Sequence, residues 1–287
     1  MSPEHKSASD LKEIVRQEWT GAAPSWQKWN RQFVIQTRAA TELILRGAEL
    51  ASGMHVLDLA CGTGEPAIGA AKAVGPMGRV VATDLVPGML EAASKNARAQ
   101  GLANMEFRVA DAEQLPFATA EFDRITCRFG IMFFPDMPRA LASMKRVLKA
   151  GGRISFLAFA SLEENPLFSA TLRPFLSRAP QPPPPPPDAP NVFRFADPAK
   201  LAGVLSAAGF HHLQVAKRQV PWPWPGPPEE AWESVREMAA PFKTMIEALP
   251  PDQREAANQE VLQGLRQFWD GKQVNASGTV VLATAAA

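Results

Sequence analysis

Short apolar runs alternate with stretches of helical spacing through the middle of the chain. The runs near 54–60, 79–83, 105–109, 122–127 and 152–160 read as strands. Between them, apolar positions near 66–74, 87–100 and 136–149 recur at helical spacing. This alternation predicts a parallel sheet with helices on its faces. Right-handed crossovers then bring the C-terminal ends of the parallel strands to one edge, and ligands bind there, near the point where strand order reverses. Ahead of this core, residues 10–50 predict two helices. Leu11, Ile14 and Val15 set the face of the first, Phe33 to Leu45 that of the second, and Thr20-Gly21-Ala22-Ala23-Pro24-Ser25 the break between them.

Beyond the core the pattern changes. Ser161 to Ala196 reads as an irregular excursion containing six consecutive prolines, Pro182 to Pro187. Such a run favours extended polyproline II, as a stiff spacer or as a segment for a proline-binding partner. Asp197-Pro198 opens a helix that Gly209 ends. Phe210 to Val220 reads as a strand, and Pro221-Trp222-Pro223-Trp224-Pro225-Gly226-Pro227-Pro228 as a second rigid linker. Helices follow near 229–248 and 252–270, then a closing strand over Gly278 to Ala285. The expected organisation is one domain over 1–287. It comprises an N-terminal helical cap (1–50), a cofactor-binding core (51–160), a Pro-rich loop (161–196) and a C-terminal part (197–287) with a helical insertion at about 229–270. The cap and the insertion are expected to form a lid over the active edge.

Composition removes several function classes. An apolar fraction of 46% is ample for a core, and a formal net charge of +1 gives no field to grip nucleic-acid phosphates. The two cysteines, Cys61 and Cys127, have no paired spacing, so neither a disulfide framework nor a zinc site is expected. As side chains they read as small apolar filler. Met1-Ser2-Pro3-Glu4-His5-Lys6 shows no apolar signal region, and no stretch is long and apolar enough to span a bilayer, so a cytoplasmic location is expected. The absence of tyrosine excludes a tyrosine base.

The chemistry concentrates at Val56-Leu57-Asp58-Leu59-Ala60-Cys61-Gly62-Thr63-Gly64-Glu65-Pro66. An apolar strand carries an acid, then a glycine turn, then a helix expected to open at Pro66. Glycine lets backbone approach a ligand closely, and turn N–H groups with a helix end suit an anionic group or a ribose. Asp84 closes the second strand, where a doubly wound fold places a ribose-binding carboxylate. Gly62-Thr63-Gly64-Glu65-Pro66-Ala67 also satisfies G-x-G-x-x-A, so an NAD-dependent oxidoreductase is the first alternative. A non-catalytic cofactor-binding protein that presents its proline segment to a partner is the second. Asp58 within the first strand and the segment Asp111-Ala112-Glu113-Gln114-Leu115-Pro116-Phe117 favour a third reading. From Val56 to Phe159 the ordered motifs resemble those of class I S-adenosylmethionine-dependent methyltransferases, in the small-molecule branch that includes the ubiquinone/menaquinone-biosynthesis type.

That resemblance implies an α/β, Rossmann-like, doubly wound seven-stranded sheet of order 3-2-1-4-5-7-6 with its last strand antiparallel, under a helical cap. It implies S-adenosyl-L-methionine as cofactor and S-adenosyl-L-homocysteine as product. Asp58 would accept from the amides of the turn Ala60, Cys61, Gly62, Thr63 and Gly64 and help hold the methionine end. Asp84 would take the ribose hydroxyls, although it also suits the cap of the next helix. Asp111 and the Ala112 N–H would read the adenine, and Leu85 and Met89 would sandwich it. The backbone at Cys127 and Arg128 would meet the cofactor's amino group.

Methyl transfer from a sulfonium needs alignment and dryness more than acid–base help. His55, His211 and His212 open strands, at the edge away from the cofactor, and His5 lies on the N-terminal tail. Glu163 and Glu164, just past the fifth strand, are the candidate bases, with solvated loop charge as the plainer reading of both. Trp19, Trp26 and Trp29 from the cap are candidates for the sulfonium or the acceptor, since tryptophan faces attract cations. Phe129, Met132 and Phe133 add apolar surface. The chain lacks the D/N-P-P-aromatic signature of nucleobase amino methylation after its fourth strand. The expected partner is therefore a small, largely apolar acceptor, with O-, N-, S- and C-methylation all open.

Overall fold

The computed structural model describes residues 7–179 and 188–287. Pro182 to Pro187 and His5 lie outside the described residues. The N-terminal segment folds as α1 (Ala8–Lys28), α2 (Asn30–Gln36) and α3 (Arg38–Ala48). The core follows as β1 (His55–Leu59), α4 (Ala67–Val74), β2 (Arg79–Asp84), α5 (Pro87–Ala99), β3 (Met105–Val109), β4 (Phe122–Arg128), α6 (Met137–Val147) and β5 (Leu148–Phe159). The remainder is α7 (Pro166–Leu176), α8 (Pro198–Ala207), β6 (His211–Pro221), α9 (Pro228–Met238), α10 (Ala240–Ala248), α11 (Pro251–Arg266) and β7 (Ser277–Ala286).

The seven strands form one sheet in the order β3-β2-β1-β4-β5-β7-β6, as the resemblance implied. The first five are mutually parallel, and β7 runs antiparallel to both β5 and β6. β6 therefore points the same way as β5. The order reverses at β1 and β4, whose register sets Asp58 beside Thr126. Leu57, Phe122, Ile125, Ile154 and Phe156 are fully buried and make the centre of the sheet continuous with the helices on its faces.

Three local expectations differ from the structure. The break at Thr20–Ser25 does not occur: α1 runs through it with Pro24 inside, and the chain turns at Trp29 and Thr37 instead. Tertiary contact overrides propensity here, because Ala22 and Ala23 are buried and Ala23 packs on Val86 and Met89. The excursion after Ser161 contains α7, tied down by Asn165, whose side chain donates to Ser161 O and Thr279 O and accepts from Thr279 N–H. The helix expected over 229–248 is divided at Ala239 into α9 and α10.

Candidate active site

At the C-terminal edge, β1 delivers the chain into a turn with Ala60 at φ 52°, Gly62 at φ 52° and Gly64 at φ 122°. Ala60 and Phe129 are non-glycine residues at positive φ on neighbouring strand ends, and such strain gathers at functional sites. Gly130 lets them approach: a Cβ there would lie 2.5 Å from that of Ala60. A Cβ on Gly62 would meet no protein atom within 4 Å, so that side of the turn is open. Asp84 binds the turn and the next helix together. Its Oδ2 accepts from Gly62 N–H at 2.9 Å and its Oδ1 from Val86 N–H at 3.0 Å. Burial pushes its carboxyl above the usual range.

The turn opens on a cavity of about 250 Å³. One side is walled by Ala60, Cys61, Gly62, Thr63, Asp84, Leu85, Met89, Asp111, Ala112 and Arg128. Its far side is aromatic. Phe129 and Phe159 stack with centroids 4.1 Å apart, and Trp222 meets both edge-on at 5.8 Å. Trp19 packs edge-on against Phe133 at 5.4 Å and Trp26 at 5.7 Å. α9 and α10 complete the roof through Ser234, Val235, Met238 and Phe242. The roof is fastened to α1 by three links. Trp26 Nε1 donates to Met238 O, Trp29 Nε1 to Glu237, and Lys28 pairs with Glu233 and Glu237.

Several expected site residues lie elsewhere. Asp58 does not accept from the turn amides: Gly62 N–H goes to Asp84, Cys61 N–H to Thr83 O and Gly64 N–H to Cys61 O. Its Oδ1 instead accepts from Thr126 Oγ1 at 2.5 Å, and its Oδ2 has no partner. Burial pushes the Asp58 carboxyl up to about 7. Glu163 and Glu164 do not line the cavity. The turn after β5 carries them outward, where Glu163 pairs with Arg173 at 3.3 Å and Glu164 with Lys217 at 2.7 Å. Trp29 is buried behind the wall, against Trp224. Met132 and Cys127 belong to the core beneath the site, and Gly64 is turned towards Ile68 and Ala93.

Lys12 carries no signature in the sequence pattern. Its ammonium contacts Asp111 Oδ2 at 2.7 Å and also Glu113, pinning α1 across the cofactor side. Phe159 and Trp222 were legible in principle, since one ends β5 and the other follows β6 at the same edge of the sheet.

The strand order, the glycine turn and the acid that ends β2 define a class I methyltransferase scaffold. Residues 26–178 match the model of the ubiE/COQ5 methyltransferase family. The chain belongs to that family. A demethylmenaquinone methyltransferase of Deinococcus radiodurans is 33% identical, over 70% of this chain and 86% of the relative. One from Symbiobacterium thermophilum is 34% identical over 53% of this chain. Aklanonic acid methyltransferase DauC of a Streptomyces species is 39% identical over 45% of it. The chain spans only 55% and 56% of the length of those last two relatives. Among solved structures, the YcgJ protein of Bacillus subtilis superposes with a TM-score of 0.54 at 22% identity, over 86% of this chain and 97% of its own. The [4+2]-cyclase SpnF superposes at 0.57 and 16%, over 99% and 97%. At those identities the likeness is one of fold.

Proposed function

We propose that the chain moves the sulfonium methyl group of S-adenosyl-L-methionine to a ring carbon of a flat, apolar, quinol-type acceptor. The observation that carries this reading is the continuity of the glycine-turn site with an aromatic chamber. The residues present suit the cofactor. Gly62 is open on its Cβ side, Asp84 sits at the end of β2, and Leu85, Met89, Asp111 and Ala112 line the adjoining wall. When bound, the cofactor supplies an electrophilic methyl group on a positively charged sulfur.

In this reading Asp84 takes the ribose hydroxyls, Asp111 and Ala112 read the adenine edge, and Leu85 and Met89 hold its faces. The stacked pair Phe129 and Phe159, with Trp222 across its edge, orients the acceptor ring. The roof of α9 and α10 excludes water, which makes alignment at roughly 3 Å effective. No histidine among the described residues lines the cavity. A hydroquinone ionised at one hydroxyl would bring its own electron density to the ring carbon; that carbon's proton would be released to solvent as the ring regains aromaticity, with S-adenosyl-L-homocysteine as the leaving group. The names of the relatives, demethylmenaquinone methyltransferase and ubiquinone/menaquinone C-methyltransferase, support a carbon acceptor.

The test is transfer of radiolabelled methyl to a naphthohydroquinone, with the product bond located by mass spectrometry. Label on ring carbon is expected. Label found only on oxygen, or only on a thiol or amine acceptor, overturns the reading.

A further inference from the structure

Arg128 ends β4 beside the glycine turn, lines the cavity, and has no carboxylate partner among the described residues. Its Nη1 donates to Thr37 Oγ1 at 2.8 Å and to Thr41 Oγ1 at 2.6 Å, and its guanidinium lies 5.6 Å from the Phe33 ring. Both threonine hydroxyls donate onward, Thr37 to Phe33 O and Thr41 to Thr37 O, so each offers Arg128 a lone pair from a fixed position. Neither nearby acid pairs with it. Glu65 accepts from Gly69 N–H, and Asp58 accepts from Thr126. Burial lowers the pKa of the guanidinium, with Glu65 and Asp58 opposing that at a distance. Even so, an arginine does not give up its charge in a protein. The result is an oriented cation whose Nε–H and Nη2–H groups have no acceptor among the described residues.

A half-buried charge without a counter-ion carries a desolvation cost, and the planar fork matches a carboxylate in a two-point geometry. We propose that Arg128 is a carboxylate seat within the cavity. The inference rests on the methyltransferase reading of the site. Two carboxylates have this chemistry: the one on the amino-acid end of the cofactor, and one carried by an aromatic-acid acceptor. β1 and β4 are adjacent, so the seat lies next to both the turn and the aromatic wall.

The experiment compares S-adenosylhomocysteine with 5′-methylthioadenosine, the same nucleoside without the amino-acid end, by calorimetry on the full chain. Arg128→Met keeps the apolar stem and removes the fork. If the seat serves the cofactor, Arg128→Met loses about tenfold or more in S-adenosylhomocysteine affinity and keeps its methylthioadenosine affinity within about twofold. If it serves the acceptor, both nucleosides keep their affinity. Binding of 1,4-dihydroxy-2-naphthoate to the S-adenosylhomocysteine complex then falls about tenfold or more, while that of 1,4-naphthohydroquinone does not. Unchanged affinity in both arms overturns the seat. Should Arg128→Met fail to fold, Arg128→Lys carries the same comparison, because it keeps the charge and loses the fork. A wild-type chain that binds neither nucleoside refutes the methyltransferase reading itself, an outcome distinct from failure of the seat.

Discussion

Asp58 and Asp84 stand near the ends of adjacent strands, and burial raises both carboxyls, yet they are held differently. Asp84 accepts two backbone N–H groups and still faces the cavity, so each oxygen keeps a lone pair for a ligand hydroxyl. Asp84→Ala should weaken S-adenosylhomocysteine binding by roughly 2 kcal/mol or more, through loss of a charged acceptor. Calorimetry on the folded variant checks this, and near-unchanged affinity would remove Asp84 from the ribose. Asp58 has one bond from Thr126 and a bare Oδ2, with Glu65, Asp84 and Arg128 as the charges that bear on it. Its folded pKa of about 7 lies above the ordinary 3.8. Its contribution to stability is therefore complete below the unfolded value and is lost as pH rises through 7. Between pH 5 and pH 8 this group alone should cost the ligand-free chain about 2–3 kcal/mol. Asp58→Asn retains an acceptor for Thr126 and cannot ionise, so it should flatten that slope. Urea unfolding of both proteins at the two pH values decides it, since parallel slopes would mean that Asp58 is not the titrating group.

α1 is the element on which the site depends most and which the sequence disclosed least. Its 21 residues extend about 31 Å at helical rise. One end is pinned by Lys12 to Asp111 and Glu113, and the other by Trp26 and Trp29 to the end of α9. A helix fastened across both walls of the cavity is expected to gate ligand entry. Hydrogen exchange over residues 8–28 should slow when S-adenosylhomocysteine and an acceptor are both bound. Equal rates with and without ligands would count against gating. Lys12→Met should speed S-adenosylhomocysteine release severalfold in stopped-flow, by removing one pin. The central strands were legible because they are short apolar runs closed by turn chemistry, as Val56 to Gly64 shows. α1 was not, because Gly21 and Pro24 signal a break that burial of Ala22 and Ala23 overrides. Nor was the Lys12–Asp111 contact, which joins residues 99 apart in sequence. Glu163 and Glu164 were placed at the correct edge, but the direction of the turn after β5 points them into solvent and towards Arg173 and Lys217. Sequence position gives the edge of a strand's end and says nothing of which way the loop leaves it.

At the scale of the whole molecule, the sheet separates His55, His211 and His212 from the chemistry. His55 opens β1, and four steps of about 3.3 Å put it about 13 Å from Leu59 at the cofactor edge. Its backbone N–H is fixed there by Asp123 Oδ2 at 2.8 Å. His211 and His212 open β6, which runs parallel to β5, and His211 pairs with Ala286, the residue that faces Arg153 midway along β5. Both are exposed, at the far end of an 11-residue strand from Trp222. None of the three can reach an acceptor in the chamber without unpairing its strand. Replacing any one by alanine should leave the methyl-transfer step within about tenfold, below the 10²–10⁴ that loss of a general base costs. The rate should instead follow ionisation of the acceptor, so that across a series of naphthohydroquinones the pH at half-maximal rate tracks each acceptor's own hydroxyl pKa. Single-turnover methyl transfer against pH, in wild type and each histidine variant with cofactor saturating, measures both. A hundredfold loss in a stably folded variant would make that histidine the base. A midpoint that stays fixed across the acceptor series would assign the titration to the chain.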